Sequence, residues 1–456
     1  MLRWIFGGRE AQSSVEKSGA LCIGEEQPKN CFTELQVLRG HFDIVRFLVQ
    51  IDDFRCASAG DDGLVLVWNV ETGERLQELR GHSQQITAIA VFRRQDELTA
   101  HTCLITASSD RSVSLWDPDT GNRVQTVLDL QSSVKCLLVL EHLGVWLSGG
   151  EELCGWSQDF RLQCHVDKHS DTGISALIQL PNNCVAAAMD KTIVVYQLTV
   201  CGDSLSAAEV RCLVDHQDQI RALVNVNDEL FASGSHAGEL MVWDAADCSV
   251  VAYQHILWEE PPTASQIQIG GAKASEMSVQ HLASNGNLIL AAVGSGLYVF
   301  SVLSRAAVAY RKCAHDSDVL HAALLSDSEI MSCSEDGSVR MWEIQDLPLA
   351  GEPASPGFLG MWSFSRSSRQ TCPPSNKTAE VPALRTLELT GDLIGHSGAV
   401  QMFVAFKDKG LVTCSADHQV ILWKNGEKQS RLRSLDLFHR LEQTGGLEPC
   451  QRRSAK

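Results

Sequence analysis

"GHFDIVRFLVQIDDFRCASAGDDGLVLVWN", residues 40 to 69, opens on a glycine and a histidine and ends just past a tryptophan, with apolar and polar residues alternating in the short runs between. From His41 to Trp68 is 27 residues, and the same interval separates His169 from Tyr196, His216 from Trp243, His315 from Trp342 and His396 from Trp423. His82 to Trp116 is 34, as a seven-residue insertion around "RRQDELTAHT" would give. A fixed interval recurring along one chain marks a repeat architecture. Within the first unit "IVRFLVQI", "FRCASAG" and "LVLVWNV" read as strands, followed by the turn "ETGE" and a fourth strand, "RLQEL". Antiparallel units of four strands and about 40 to 50 residues are the blades of a propeller.

The totals agree with one large β array. The chain has 456 residues, 44% of them apolar, enough for an extended core. A net charge of −18 argues against nucleic acid, whose binding rests on clustered Lys and Arg displacing counterions. Sixteen cysteines lie scattered without a CxxC pair or metal-ligand spacing, and Cys56, Cys333 and Cys414 sit in apolar runs, as small buried hydrophobes of a reducing compartment do. We expect no metal and no cofactor. "MLRWIFGGRE" is too short an apolar start for a secretory signal, and no run approaches the length of a membrane span. The expectation is a soluble cytoplasmic protein with no direct membrane insertion.

Two more positions keep step with the tryptophan. Ten residues before it stands a hydroxyl (Ser58, Thr106, Ser233, Ser332, Thr413), and six before it an aspartate (Asp62, Asp110, Asp336, Asp417). With "GH" at 40, 81 and 395 and "VWN", "LWD", "VWD", "MWE" and "LWK" after it, the pattern resembles the WD40-repeat family over about residues 31 to 440. In that family the four positions form a hydrogen-bonded chain, which implies structural sets of His41, Ser58, Asp62 and Trp68; His82, Thr106, Asp110 and Trp116; His315, Ser332, Asp336 and Trp342; and His396, Thr413, Asp417 and Trp423. Ser, His and Asp are also the members of a hydrolase triad. A set repeated four times in register is structural, so no catalytic residue is expected.

Residues 132 to 165 and 277 to 312 keep the strand texture without the histidine, which brings the count to eight blades, or seven if one of these is only a connection. The complete sets fall in blades 1, 2, 7 and 8, and Ala237 stands where blade 5 should carry its aspartate, so the middle blades read as the less rigid half. Closing the ring calls for one terminus to complete the other's blade. "CFTELQVLRGH" supplies that strand. The expected organisation is a flexible lead over 1–30, an all-β propeller over 31–428 and a short C-terminal helix within 429–456. In "SRLRSLDLFHRLEQTGG", Leu435, Phe438 and Leu441 recur three apart.

Blade 7 carries a long insertion, 347–384, between its third and fourth strands. Six prolines exclude pairing over most of it, yet Phe358, Leu359, Met361, Trp362 and Phe364 crowd seven residues. Solvated linkers are poor in aromatics, so these five are either folded back on the propeller or inserted in a partner's cavity; we favour the partner. Glu34, Leu35 and Gln36 at one end, with Leu435, Phe438 and Leu441 at the other, are candidate docking residues at the termini.

"DIVRFLVQIDD", "ASAGDDG", "SDTGISAL", "GLVTCSADH" and "ILWKNGE" resemble one branch of the WD40 family in particular. That resemblance implies a non-catalytic scaffold subunit in a complex with two DENN-domain proteins that regulates small GTPases and autophagy. It also implies recruitment to the lysosomal surface by a cationic amino acid transporter, to which we assign the blade 7 loop. A different role, substrate receptor of a cullin-type ubiquitin ligase, would call for a WDxR motif. Trp116 and Trp243 are followed by Asp-Pro-Asp and Asp-Ala-Ala instead.

Overall fold

The structure, a computed structural model, describes residues 30–95, 100–166, 173–202, 204–256, 277–346, 385–407 and 409–443. Among these residues the chain forms eight antiparallel four-stranded sheets. Blade 1 is Val45–Gln50, Arg55–Gly60, Val65–Asn69 and Arg75–Leu79, in that order from the axis outward. The two segments that lack the histidine are full blades, Cys136–Leu140 to Leu162–Val166 and Val279–Ser284 to Ala306–Arg311, so the count is eight and the seven-bladed alternative falls. Blade 8 has only three strands from its own stretch of chain, and Glu34–Leu38 supplies the fourth. Glu34 lies opposite Lys424 and Leu38 opposite Val420, which pairs an edge that would otherwise be open.

The core lies in the seams between blades. Because successive side chains of a strand point to opposite faces, Ala57, Ala59, Val65 and Val67 pack toward blade 2 while Cys56, Leu66 and Trp68 pack toward blade 8. Eight such clusters, one per seam, close the circle. Middle strands buried on both faces explain the near-continuous apolar text of "LVLVW" and "VILW".

A register shift falls immediately before the aromatic of the third strand in seven blades, at Trp68, Trp116, Trp156, Tyr196, Trp243, Phe300 and Trp342. A bulge bends a strand and re-aims its side chain. Here it sits where each large ring must turn into the seam. Trp156 and Phe300 identify the aromatic position of the two blades without a histidine.

Candidate partner-binding surface

Each blade with a histidine in the described residues holds that side chain against the turn between its second and third strands. In blade 1, Trp68 Nε1 donates to Ser58 Oγ at 2.8 Å, His41 Nε2 lies 2.8 Å from the same oxygen, and His41 Nδ1 is 2.8 Å from Asp62 Oδ2. Blade 2 repeats this through Trp116, Thr106, His82 and Asp110 at 2.7, 2.8 and 3.2 Å. Blade 7 does so through Trp342, Ser332, His315 and Asp336 at 2.9, 2.7 and 3.1 Å, and blade 8 through Trp423, Thr413, His396 and Asp417 at 2.9, 2.7 and 3.0 Å.

A carboxylate can only accept, so the proton on each histidine sits on Nδ1, and Nε2 takes the hydroxyl's proton. The hydroxyl oxygen is then free to accept from tryptophan, and every group is satisfied. Ser58, Thr106, Ser332 and Thr413 are sealed from solvent at 0% exposure, which rules out a nucleophilic role for any of them. Burial, the largest influence, pushes His82 and His396 below the usual imidazole range, against the pull of the neighbouring carboxylates. Burial would raise Asp62, Asp110 and Asp417, but hydrogen bonds from histidine, serine and backbone N–H groups outweigh it and hold them low. The His82–Asp110 and His396–Asp417 pairs are therefore each a neutral imidazole and a carboxylate.

The expectation of four complete sets is too low. His216 of blade 5 bonds Ser233 Oγ at 2.6 Å, Trp243 donates to the same oxygen at 2.8 Å, and Glu239 Oε2 stands 3.1 Å from His216 Nδ1. Glu239 also accepts the Gln217 N–H at 3.0 Å, as Asp62 accepts that of Phe42 and Asp417 that of Ser397. Glutamate's extra methylene lets it work from two residues further along, where Ser112 and Ser338 stand in blades 2 and 7 and bond the histidine themselves. The signal was there in the sequence: an acid four residues before the tryptophan, beside an alanine in the aspartate's place. Blade 5 thus loses the reason for which it was read as weaker. His169 lies outside the described residues.

The candidate docking residues meet on one edge of the ring. The helix Gly426–Gln443 leaves blade 8 directly after its third strand, where other blades turn into their fourth. Asn425 caps it, its Oδ1 accepting the Lys428 N–H at 2.9 Å. Arg433 makes a two-pronged bond to Glu34 at 2.9 and 3.0 Å, and Gly426 N–H donates to Thr33 Oγ1 at 3.1 Å, so helix and closing strand are tied together. Gln36 is engaged elsewhere, on Thr72 O of blade 1 at 3.3 Å. Every residue from 430 to 440 is exposed, including Leu432, Leu435, Leu437 and Phe438 at 50 to 58%, and Leu35 on the strand is 48% exposed. The reading in which the helix merely packs on the last blade therefore finds no buried residue over that span. Leu441 belongs to the helix, though its side chain lies outside the described residues. Beside it a groove of about 410 Å³ runs between blades 7 and 8, lined by Phe32, Leu35, Ile394 and Trp423 among others. Phe358, Leu359, Met361, Trp362 and Phe364 all lie outside the described residues.

Eight blades, buried hydrogen-bonded sets and a terminal helix with exposed leucines and a phenylalanine define a WD40-type propeller built as a scaffold for protein interaction. Among the described residues no helix is long and apolar enough to cross a membrane. The family model described as WDR41 β-propeller matches residues 1–433, and the chain belongs to that family. It is 51% identical to the human WD repeat-containing protein 41 over 98% of this chain and 99% of that one. A more distant similarity, 24% identity over 67% of this chain and 24% of the relative, is to the DENN domain and WD repeat-containing protein SCD1 of Arabidopsis thaliana. Among solved structures, the computationally designed Ika8 protein aligns with a TM-score of 0.61 at 20% identity, over 85% of this chain and 98% of that one, a likeness of fold.

Proposed function

We propose that this chain is a non-catalytic adaptor that joins two DENN-domain proteins in a complex regulating small GTPases and autophagy, and that brings the complex to the lysosomal surface. The observation that carries the reading is the helix Gly426–Gln443, which keeps four large apolar side chains in solvent while an ion pair holds it beside the closing strand. A single helix gains most of its stability from packing an apolar face, and an apolar patch left open marks a place for a partner. Membership in the WDR41 family supports the assignment, and a relative whose name joins DENN and WD-repeat segments supports the pairing. The segment 347–384, with Phe358, Leu359, Met361, Trp362 and Phe364, is the element that engages a lysosomal cationic amino acid transporter.

The experiment is affinity purification from cells of three forms of the chain: intact, ended at Asn425, and with 347–384 replaced by a short turn. The proposal requires the second form to lose the DENN-domain proteins, and the third to keep them while losing lysosomal localisation. Co-purification of cullin adaptors in place of DENN-domain proteins would replace this reading with the ligase one.

A further inference from the structure

Blade 3 has no histidine of the repeating kind, yet Trp156 Nε1 still donates to Ser148 Oγ at 2.9 Å. The chain of contacts then departs from that of blades 1, 2, 5, 7 and 8. Ser148, Cys154 and His165 are direct neighbours across three adjacent strands, with Ser148 opposite Cys154 and Cys154 opposite His165. Glu152, in the turn two residues before Cys154, reaches back to His165 Nε2 at 2.7 Å. One ligand atom from each of Glu152, Cys154 and His165 lies within 4.8 Å of the other two.

The geometry points to a zinc-binding site on blade 3, formed by the Cys154 thiolate, a His165 imidazole nitrogen and a Glu152 carboxylate oxygen, with solvent in the fourth position. A mixed sulfur, nitrogen and oxygen set suits Zn²⁺ better than the hard cations, which take oxygen alone. Zinc bonds of about 2.0 to 2.3 Å place tetrahedral ligand atoms roughly 3.3 to 3.7 Å apart. Reaching that spacing requires the 2.7 Å Glu152–His165 contact to open. Both side chains have room, being 26% and 38% exposed, and the same exposure leaves the fourth position to water. Burial, with Glu152 and Cys164 nearby, pushes the Cys154 thiol up to about 12 in the metal-free chain, so the ion itself must draw off the proton; Ser148, bonded to the sulfur, is the outer partner that orients it. Binding displaces the thiol proton to solvent. The ion would brace the turn, the third strand and the outer strand of this blade, the work that a histidine and an acid do in blades 1, 2, 5, 7 and 8.

The full chain is stripped with chelator and titrated with Co²⁺, whose sulfur-to-metal absorption band reports a thiolate ligand, and then with Zn²⁺ in competition. One equivalent is expected to give the band, Zn²⁺ to bleach it and to raise Tm, and affinity to rise about tenfold per pH unit near neutrality as one proton is released. Cys154→Ser and His165→Ala should each abolish the band, and Cys164→Ser, whose thiol packs toward the seam with blade 4, should keep it. His165 is exposed, so its variant folds if judged by circular dichroism. No band in the intact chain, or a band that survives both Cys154→Ser and His165→Ala, overturns the site.

Discussion

Glu239 Oε2 lies 3.1 Å from His216 Nδ1 and 2.9 Å from Ser235 Oγ, so that a glutamate two residues out of register completes the buried set of blade 5. Its side chain is 3% exposed and His216 is 1% exposed, so neither can turn to water if the other is lost. Glu239→Ala should destabilise the chain by about 1–3 kcal/mol, the penalty of an orphaned buried donor. The double variant Ala237→Asp, Glu239→Ser should recover most of that loss, since it rebuilds the arrangement of blade 7. Urea unfolding of the three proteins checks both, and a failed rescue would show that Glu239 acts by something other than its bond to His216.

In blade 7, Asp336 accepts from His315 and from the Asp316 and Ser338 N–H groups. It also accepts the Ser338 hydroxyl at 2.7 Å, so Asp336→Ala removes four acceptor contacts at once. We expect a loss of about 1–3 kcal/mol in the same assay, and a neutral outcome would contradict the buried-network account.

The glycine before the histidine has a spatial reason. A Cβ on Gly395 would stand 2.7 Å from the Trp423 ring, and one on Gly81 would stand 3.1 Å from that of Trp116. Gly395→Ala should cost about 1–3 kcal/mol by forcing the buried tryptophan aside, with a blue or red shift in tryptophan emission as the accompanying sign.

His281 and His321, on the innermost strands of blades 6 and 7, face each other with ring centroids 4.3 Å apart, and His321 meets Phe403 edge-on at 4.6 Å. Neither Nδ1 has a hydrogen-bond partner among the described residues. Burial pushes His281 down to about 4, and burial with the nearby His281 pushes His321 well below the ordinary value. The unfolded chain titrates near 6.5. Stability is therefore whole above that pH and falls as acid protonates the unfolded state, by about 1.4 kcal/mol per pH unit for each histidine, until the folded values are reached. Tm measured from pH 7.5 to 5 should drop, and His281→Leu with His321→Leu should flatten the slope. An unchanged slope would place the acid sensitivity elsewhere.

Ending the chain at Asn425 should leave Tm of the propeller unchanged, because residues 430–440 are all exposed and an exposed pair such as Arg433–Glu34 contributes little. A large fall in Tm would mean that the helix covers the last blade after all.

The repeats were readable because each blade must satisfy the same local demands: a glycine that clears an aromatic ring, a hydroxyl to receive its N–H, and an imidazole to take the proton that follows. Those demands fix spacing, and spacing is what a sequence displays. Blade 5 escaped the pattern since carboxylates of different length can fill one site from different positions. Blade 3 escaped it more fully, its Ser148 standing eight residues before Trp156 instead of ten.

The intervals and the strand alternation by themselves determined a ring of four-stranded blades, an N-terminal strand able to close it and a terminal helix with an apolar stripe. Folding in three dimensions decided that there are eight blades, that Glu239 substitutes for an aspartate, that Glu152, Cys154 and His165 converge, and that the helix keeps its apolar residues in solvent. The first group follows from bonding between near neighbours in the chain. The second depends on reach across strands and on what lies opposite a side chain, and neither is encoded at any single interval.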